Sequence, residues 1–382
     1  MTKRNKPQVL IIDDEPDAGR ATSDIIKSKV VPVYRSPSDV EEADLENANL
    51  VLVDFKLDYW PERDAQPTPS LKPKNGIALA ACLRSNIGDG TTTPTAFALN
   101  SGRLFELSGS LVAQDREHAI ASMIDLEWVF AESANSQDMA REIWALADAV
   151  RKLPHPWPQF QQSLSALTKL LNVNKSVVWH ATMMEDVERA CPPQDIAAET
   201  SKGLAIIRWL LHEVLPYPSF LLDERYLATR LYLAPSTLRK ILRDRRRSAF
   251  YRDLFKLRYR GILHEFSGTR WWRAGVDHWL WRETSGRPLD KKEVQRFVRR
   301  QLPGVHLLDL DQPVVALDDQ FRPTDASIER STAVQIKPDD WPLTAEPARI
   351  SAADASADPR IGSRVIQLDR SKLHLGVDHD RT

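Results

Sequence analysis

The sequence predicts an α/β domain built on a parallel sheet, followed by an all-α domain and a small, irregular tail with some β structure. Over residues 8–54, short apolar runs alternate with helical segments, as in strands joined by crossover helices. From residue 160 to about residue 300, the hydrophobic pattern is that of helices almost throughout. A chain of 382 residues has room for about two or three domains.

Three apolar runs define the sheet near the amino terminus. Val9–Ile12, Val30–Tyr34 and Leu50–Val53 are short and mainly apolar, which is typical of strands buried on both faces of a parallel sheet. Pro16 suits the first turn of the helix that follows the first run. Pro32 predicts an edge position for the second strand, because proline cannot donate a ladder hydrogen bond.

Composition narrows the classes of function. Hydrophobic residues make up 42% and charged residues 27% of the chain, which is ordinary for a soluble protein. No apolar run approaches the ~20 residues of a membrane span, and no signal-peptide core follows the basic first residues, so we expect neither. Two distant cysteines, Cys82 and Cys191, argue against a disulfide scaffold and for the reducing cytoplasm.

The net charge of −1 conceals an asymmetry. Residues 1–140 contain 14 Lys/Arg and 22 Asp/Glu, whereas residues 225–273 contain 14 Lys/Arg and 3 Asp/Glu. An acidic first part and a basic middle indicate two modules with different partners.

Acidic residues stand where two of the predicted strands end. Asp13 and Asp14 follow the first run, and Asp54 follows the third. Functional residues gather at the carboxyl ends of parallel strands, and converging carboxylates need a proton or a cation, for which oxygen ligands favour Mg²⁺. With Mg²⁺ on two of the acids, the third could act as a nucleophile towards a phosphoryl donor.

These residues resemble the receiver domain of two-component response regulators. The matching segments are Val9–Pro16, Leu50–Asp54, Asn75–Leu79 and Pro94–Ser101. The resemblance covers about residues 7–151 and implies a five-stranded flavodoxin-like fold.

The resemblance also implies a role for each residue of the site. Asp13 and Asp14 would hold Mg²⁺ together with Asp54, and Asp54 would accept a phosphoryl group from a histidine kinase. Ser101 would take the place of the switch Ser/Thr, with Asn100 as the alternative by register. The competing interpretation is a flavodoxin-like domain with acidic loop ends that is never phosphorylated.

Two features depart from the receiver pattern. Receivers usually carry a lysine at the end of the fifth strand, but the predicted strand Leu126–Phe130 and the residues after it contain none. This loss removes a charge-assisted contact of about 1.5–3 kcal/mol. A long Pro-rich insertion, residues 55–75, also follows the third strand, and such a loop is typical of a functional or disordered segment. The module is therefore either a divergent receiver or a pseudo-receiver.

The Pro cluster at residues 154–158 predicts a domain boundary. The expected parts are a receiver-like domain over 1–153, a helical output or interaction domain over 154–302, a short β appendage over 303–340 and a tail over 341–382 that is mostly disordered or wrapped over another surface. Within the helical domain, one long helix is predicted over 235–266.

Residues 223–243 resemble a helix-turn-helix. The second helix and the segment after it offer donors suited to phosphates and base edges, namely Ser236, Thr237, Arg239, Lys240, Arg243, Arg245, Arg246 and Arg247. Tyr232 stands where the turn usually has glycine, and Ala234 stands where the second helix usually has a Ser/Thr cap. DNA, a protein surface and RNA all remain open as partners of this basic segment.

The sequence as a whole predicts a response regulator of a two-component phosphorelay, with Mg²⁺ as cofactor, a histidine kinase as partner and no membrane contact; a homodimer is compatible with it. No nucleophile elbow, Gly-rich phosphate loop or Ser/His/Asp signature is present, so we expect no enzyme beyond self-phosphorylation and dephosphorylation. The alternative is a pseudo-receiver, phosphate sink or scaffold that acts through protein–protein interaction, as in a defence-type signalling system, without DNA binding.

Overall fold

The chain divides into two units. The structure, a computed structural model, describes residues 6–65, 72–87, 94–102, 117–131, 135–157, 160–193, 202–244 and 249–374. Unit 1 comprises residues 1–173, 192–216 and 260–268, and unit 2 comprises residues 174–191, 217–259 and 269–382.

The elements of the first part of unit 1 alternate between strand and helix. They are β1 (Gln8–Ile12), α1 (Pro16–Ile26), β2 (Val31–Arg35), α2 (Glu42–Asn47), β3 (Leu50–Asp54), α3 (Pro61–Ala65), α4 (Gly76–Ser85), β4 (Ala96–Ser101), α5 (Glu117–Met123), β5 (Trp128–Ala131), α6 (Ser136–Arg151) and α7 (Phe160–Leu170).

The five strands form one parallel sheet in the order β2-β1-β3-β4-β5. This is the flavodoxin-like order, and it confirms the predicted fold class. Leu10, Val51 and Phe97 of the sheet are buried in one hydrophobic core with residues of α2, α4 and α5. On the other side, α1 packs against α6. Pro32 lies in β2, an edge strand, as predicted.

Two later segments of the chain also belong to unit 1. The first contains α9 (Lys202–Trp209) and a π-helical turn, Leu210–Val214; α8 (His180–Arg189) belongs to unit 2. Arg208 of α9 pairs with the fully buried Glu127 at 2.7 Å. In the second segment, residues 260–268, Phe266 is buried edge-to-face against Trp128, with ring centroids 4.9 Å apart. Unit 1 therefore extends beyond the predicted boundary at residue 153.

Unit 2 combines helices with short antiparallel strand pairs. After α8, its elements are β6 (Leu221–Leu222), α10 (Glu224–Arg230), α11 (Pro235–Arg243), α12 (Ala249–Lys256), β7 (Trp271–Trp272), α13 (Arg273–Glu283), α14 (Lys291–Gln301), β8 (Pro313–Leu317), β9 (Pro323–Glu329), β10 (Ala333–Gln335), β11 (Arg349–Ser351), α15 (Ala352–Ala357) and α16 (Pro359–Gly362). The pairs are β6–β7, β8–β9 and β10–β11.

One face of α13, together with the residue before the helix, is buried in the core of unit 2. Trp272, Val276, Trp279 and Leu280 are all buried. No helix among the described residues is long and apolar enough to cross a membrane.

Two predictions for this part of the chain were wrong. The single helix over 235–266 is interrupted, because Leu257 and Tyr259 hydrogen-bond as extended chain to residues 270–272. Residues 341–374 are ordered rather than disordered: β11, α15 and α16 lie there, and Ile350, Ile361 and Val365 are buried. A few apolar side chains suffice for this packing, although the composition of the segment is polar.

Candidate functional site

The three predicted acids meet at the carboxyl ends of β1 and β3. One carboxylate oxygen from each of Asp13, Asp14 and Asp54 lies within 4.8 Å of the other two. Asp13 is buried, whereas Asp14 and Asp54 are partly buried and thus accessible from outside. The sheet brings these residues together because β1 and β3 are adjacent and parallel.

Local hydrogen bonds fix the position of Asp13. Its carboxylate accepts the backbone N–H of Glu15 at 2.8 Å, in a turn that leads directly into α1. The hydroxyl of Tyr34, on the adjacent strand β2, donates to the carbonyl oxygen of Asp13 at 3.1 Å. The backbone and the side chain of Asp13 are therefore both held in place.

The carboxyl of Asp14 lies under the insertion that follows β3. It accepts the backbone N–H of Tyr59, a residue of the 55–75 segment, whose residues 66–71 lie outside the described part. Burial raises the pKa of Asp14, and the nearby acids Glu15 and Asp58 raise it further, while the Tyr59 hydrogen bond lowers it. The sequence pattern did not assign Tyr59 to the site.

Asp54 is positioned by the loop after β3 and by the start of α4. Its carboxylate accepts the N–H of Lys56 at 2.9 Å. The N–H of Gly76 donates to the carbonyl of Phe55 at 2.9 Å, and Asn75 caps α4 through its side chain. A Cβ at Gly76 would lie 2.1 Å from the carbonyl oxygen of Asp54, so only glycine permits this approach.

The two switch candidates lie at the end of β4, beside the acids. Asn100 is the register partner of Asp54, and its carbonyl accepts the N–H of Phe55 at 3.0 Å. Ser101 is the register partner of Ala131, the last residue of β5, and both Asn100 and Ser101 are buried. The position beside Ser101 therefore carries a methyl group and no lysine.

The donor set fits a hard divalent cation. Three carboxylate oxygens lie within 4.8 Å of one another, and oxygen ligands of this kind suit Mg²⁺. The raised pKa of Asp14 reflects burial and the repulsion of neighbouring acids, and a cation would offset both effects.

A second, smaller acidic site lies beside β5. The carboxylate of Glu142 on α6 accepts the N–H of Ser267 at 3.1 Å and its hydroxyl at 3.4 Å. These residues line a cavity of about 140 Å³ together with Glu117, Trp128 and Met139. Burial raises the pKa of Glu142 to about 7, the Ser267 hydrogen bonds lower it and Glu117 raises it. No local pattern of residues indicates this contact, because Ser267 comes from a distant segment of the chain.

The residues predicted to contact nucleic acid or a partner differ in accessibility. On α11, Ser236, Lys240 and Arg243 are exposed and Thr237 is partly buried. Arg239 instead forms two contacts with Asp325 of β9, at 2.6 and 2.7 Å, and a further one with Glu224. Arg245, Arg246 and Arg247 lie outside the described residues.

The turn between α10 and α11 adopts the strained conformation that its sequence suggested. Tyr232 has a φ of 54°, in the left-handed region that favours glycine. The N–H of Tyr232 donates to Thr229 at 3.0 Å and that of Leu233 to Ala228 at 2.9 Å, the hydrogen bonds of a Schellman helix end. Ala234 provides no side-chain cap to α11, which begins at Pro235.

Comparison with known proteins finds similarity at the level of solved structures. No family model matches the chain, and no curated protein matches it. One similar structure is a CheY-like response regulator receiver domain protein from Methanospirillum hungatei JF-1, 17% identical, covering 39% of this chain and 98% of that chain with a TM-score of 0.26. Another is the response regulator ChrA of a heme-sensing two-component system, 13% identical, covering 69% of this chain and 96% of that chain with a TM-score of 0.25. The strand order and the site geometry, rather than these similarities, define the fold.

Proposed function

We propose that the chain is a cytoplasmic response regulator of a two-component phosphorelay, with Asp54 as the phosphoryl acceptor. The observation that carries the proposal is the meeting of three carboxylates at the carboxyl end of a flavodoxin-like sheet. Asp13 and Asp14 would hold Mg²⁺ together with Asp54. When bound, the ion supplies charge neutralisation for the acids and the incoming phosphoryl oxygens.

The chemistry requires only modest help from the protein. A carboxylate oxygen of Asp54 attacks the phosphorus of a phosphohistidine on the kinase. A P–O bond forms as the P–N bond breaks, and the histidine nitrogen takes up a proton. Ser101, or Asn100 beside Asp54 in the register, would donate to a phosphoryl oxygen and report the modification. The chain would catalyse no reaction other than on itself.

The output would pass through the basic segments of unit 2, to DNA or to a protein. The exposed residues of α11 that remain for such contacts are Ser236, Lys240 and Arg243. Because Arg239 pairs with Asp325, α11 has fewer hydrogen-bond donors for base edges than the sequence predicted. The absence of a lysine beside Ser101 favours a second candidate function, a pseudo-receiver that acts as a scaffold without phosphorylation.

Treatment with acetyl phosphate and Mg²⁺, followed by intact mass measurement, tests the proposal. The wild-type chain should gain one phosphoryl group, and the gain should vanish with a chelator or in Asp54→Asn. Asp17→Asn, the same change at an exposed position on α1, is the matched control and should label like the wild type. A wild-type chain that stays unmodified at saturating Mg²⁺ would favour the pseudo-receiver instead.

A further inference from the structure

We infer that the outward face of α12 is a binding surface for single-stranded nucleic acid. An open groove of about 540 Å³ lies there, which we call the α12 groove; its lining residues are Tyr251, Arg252, Phe255, Lys256 and Arg258. The inference rests on the proposed function only in so far as unit 2 is the output module. Beyond that proposal, the inference specifies the surface of unit 2 that binds and the class of partner that this surface binds.

The aromatic residues of the α12 groove are not needed for the core. The inner face of α12 is completed by Phe250 and Leu254, which are almost fully buried, and the indole N–H of Trp271 donates to the carbonyl of Leu254 at 3.2 Å. On the outer face, Tyr251 and Phe255 stack with centroids 6.1 Å apart and an interplanar angle of 25°. Phe255 is 42% exposed, so solvent reaches part of its ring.

Cations surround this aromatic pair. The guanidinium of Arg258 lies over the ring of Phe255 at 5.3 Å and over that of Tyr251 at 6.0 Å, which places a positive charge in the groove. Arg252 and Lys256 are exposed beside it. Lys256 pairs with Asp253 at 3.2 Å, and ion pairs at such exposed positions are weak. Residues 249–260 carry four Lys/Arg and one Asp.

The combination of exposed aromatic rings and cations in the α12 groove favours one class of anionic partner over others. Unpaired bases stack on aromatic rings while the neighbouring phosphates contact cations, which is how proteins bind single strands without reading their sequence. A duplex covers its base faces and leaves the rings of Tyr251 and Phe255 without a role. An acidic protein segment would use the cations but gain little from the rings. Single-stranded nucleic acid is therefore the partner that uses both features of the α12 groove.

Fluorescence anisotropy of the full chain with a labelled oligothymidylate tests this inference. Phe255→Ala should weaken binding about fivefold or more, because stacking contributes about 1–3 kcal/mol per base, whereas Phe255→Tyr should retain it. Arg252→Ser with Lys256→Ser should reduce the slope of log K against log salt by about 1.4. The matched control is Arg282→Ser with Arg296→Ser, two exposed cations of unit 2, which should preserve the slope.

Several results would overturn the inference. These are no binding to the oligothymidylate at low salt, equal binding by Phe255→Ala, and tighter binding of a duplex of mixed sequence than of its separate strands. Binding of poly-L-glutamate in place of the oligonucleotide, weakened by the same variants, would identify the α12 groove as a protein interface. Phosphorylation of Asp54 is measured separately by mass, so failure here leaves that proposal intact.

Discussion

Glu142 is a residue of unit 1 whose pKa depends strongly on its surroundings, and the effect of this shift on stability can be measured as a function of pH. Its pKa is about 7 in the folded chain against an ordinary value of 4.5, mainly because of burial. The folded state therefore binds this proton more tightly than the unfolded state. The free energy of unfolding should fall by about 3 kcal/mol as pH rises from about 4.5 to about 7.

Urea denaturation across pH, compared between the wild type and Glu142→Gln, measures this effect. Glutamine retains the acceptor for Ser267 but cannot ionise, so the variant should be the more stable of the two above pH 7. Burial lowers the pKa of His212 to about 4, so the contribution of His212 to stability increases with pH. This contribution is the same in the wild type and in Glu142→Gln, and it cancels when one stability curve is subtracted from the other. Glu46→Gln, at an exposed position of α2, is the matched control. Parallel curves for the wild type and Glu142→Gln would contradict the assignment.

Gly76 is a residue for which the site geometry predicts a large effect from a small change. Gly76→Ala should cost about 1–3 kcal/mol through overlap with the carbonyl of Asp54, although alanine favours helix by about 1 kcal/mol. Because the overlap involves the backbone of Asp54, acetyl phosphate labelling should slow as well.

Urea denaturation and the labelling rate check this prediction against a variant on the same helix. Ala81→Gly, at an exposed position of α4, should lose only the propensity difference and should label normally. A Gly76→Ala variant with wild-type stability and labelling would show that the loop after β3 accommodates the extra methyl group, and that the start of α4 does not position Asp54.

At the scale of elements, the contact of α11 with β9 explains why one predicted nucleic-acid residue is not available. Arg239 and Asp325 form a two-point contact, which lowers the pKa of Asp325 and raises that of Arg239. Both side chains are partly exposed, so a double-mutant cycle of Arg239→Gln and Asp325→Asn should give a coupling of only about 0.5–1 kcal/mol, decreasing with salt.

The exposed pair Arg189 and Glu185 on α8, 3.7 Å apart, is the control for that cycle and should couple more weakly. The same variants separate α11 from the α12 groove. Asp325→Asn weakens the contact of Arg239 with β9 but leaves the contact of Arg239 with Glu224. The affinity for oligothymidylate should change little if the α12 groove carries the binding. A marked gain in affinity would instead indicate that α11, and not the α12 groove, contacts the nucleic acid.

At the scale of the whole molecule, the features that could be predicted from the sequence are those that a local pattern of residues encodes. Strands buried in a parallel sheet appear as apolar runs, and the acids at their ends follow from the topology, so the cluster of Asp13, Asp14 and Asp54 could be expected. The inclusion of residues 202–216 and 260–268 in unit 1 could not. It depends on long-range contacts such as Arg208 with Glu127 and Phe266 with Trp128, which leave no periodic signal.

The same limit applies to the pairing of Arg239. A basic residue on an outward helix face has the same local pattern whether it faces solvent or an acid on a strand 86 residues later. For the α12 groove, by contrast, the local pattern did indicate which residue types lie together. The sequence placed aromatic and basic residues together in this segment, and the structure separates buried Phe250 from exposed Phe255.

We propose that Asp54 takes up a phosphoryl group in a site that requires Mg²⁺. Borohydride reduction after acetyl phosphate treatment, followed by tandem mass spectrometry, tests it directly, because the reduction converts an aspartyl phosphate into homoserine. We expect homoserine at position 54, formed only when Mg²⁺ is present and absent from the double variant Asp13→Asn with Asp14→Asn. Conversion at another carboxyl group, or none under conditions that keep the chain folded, would contradict it.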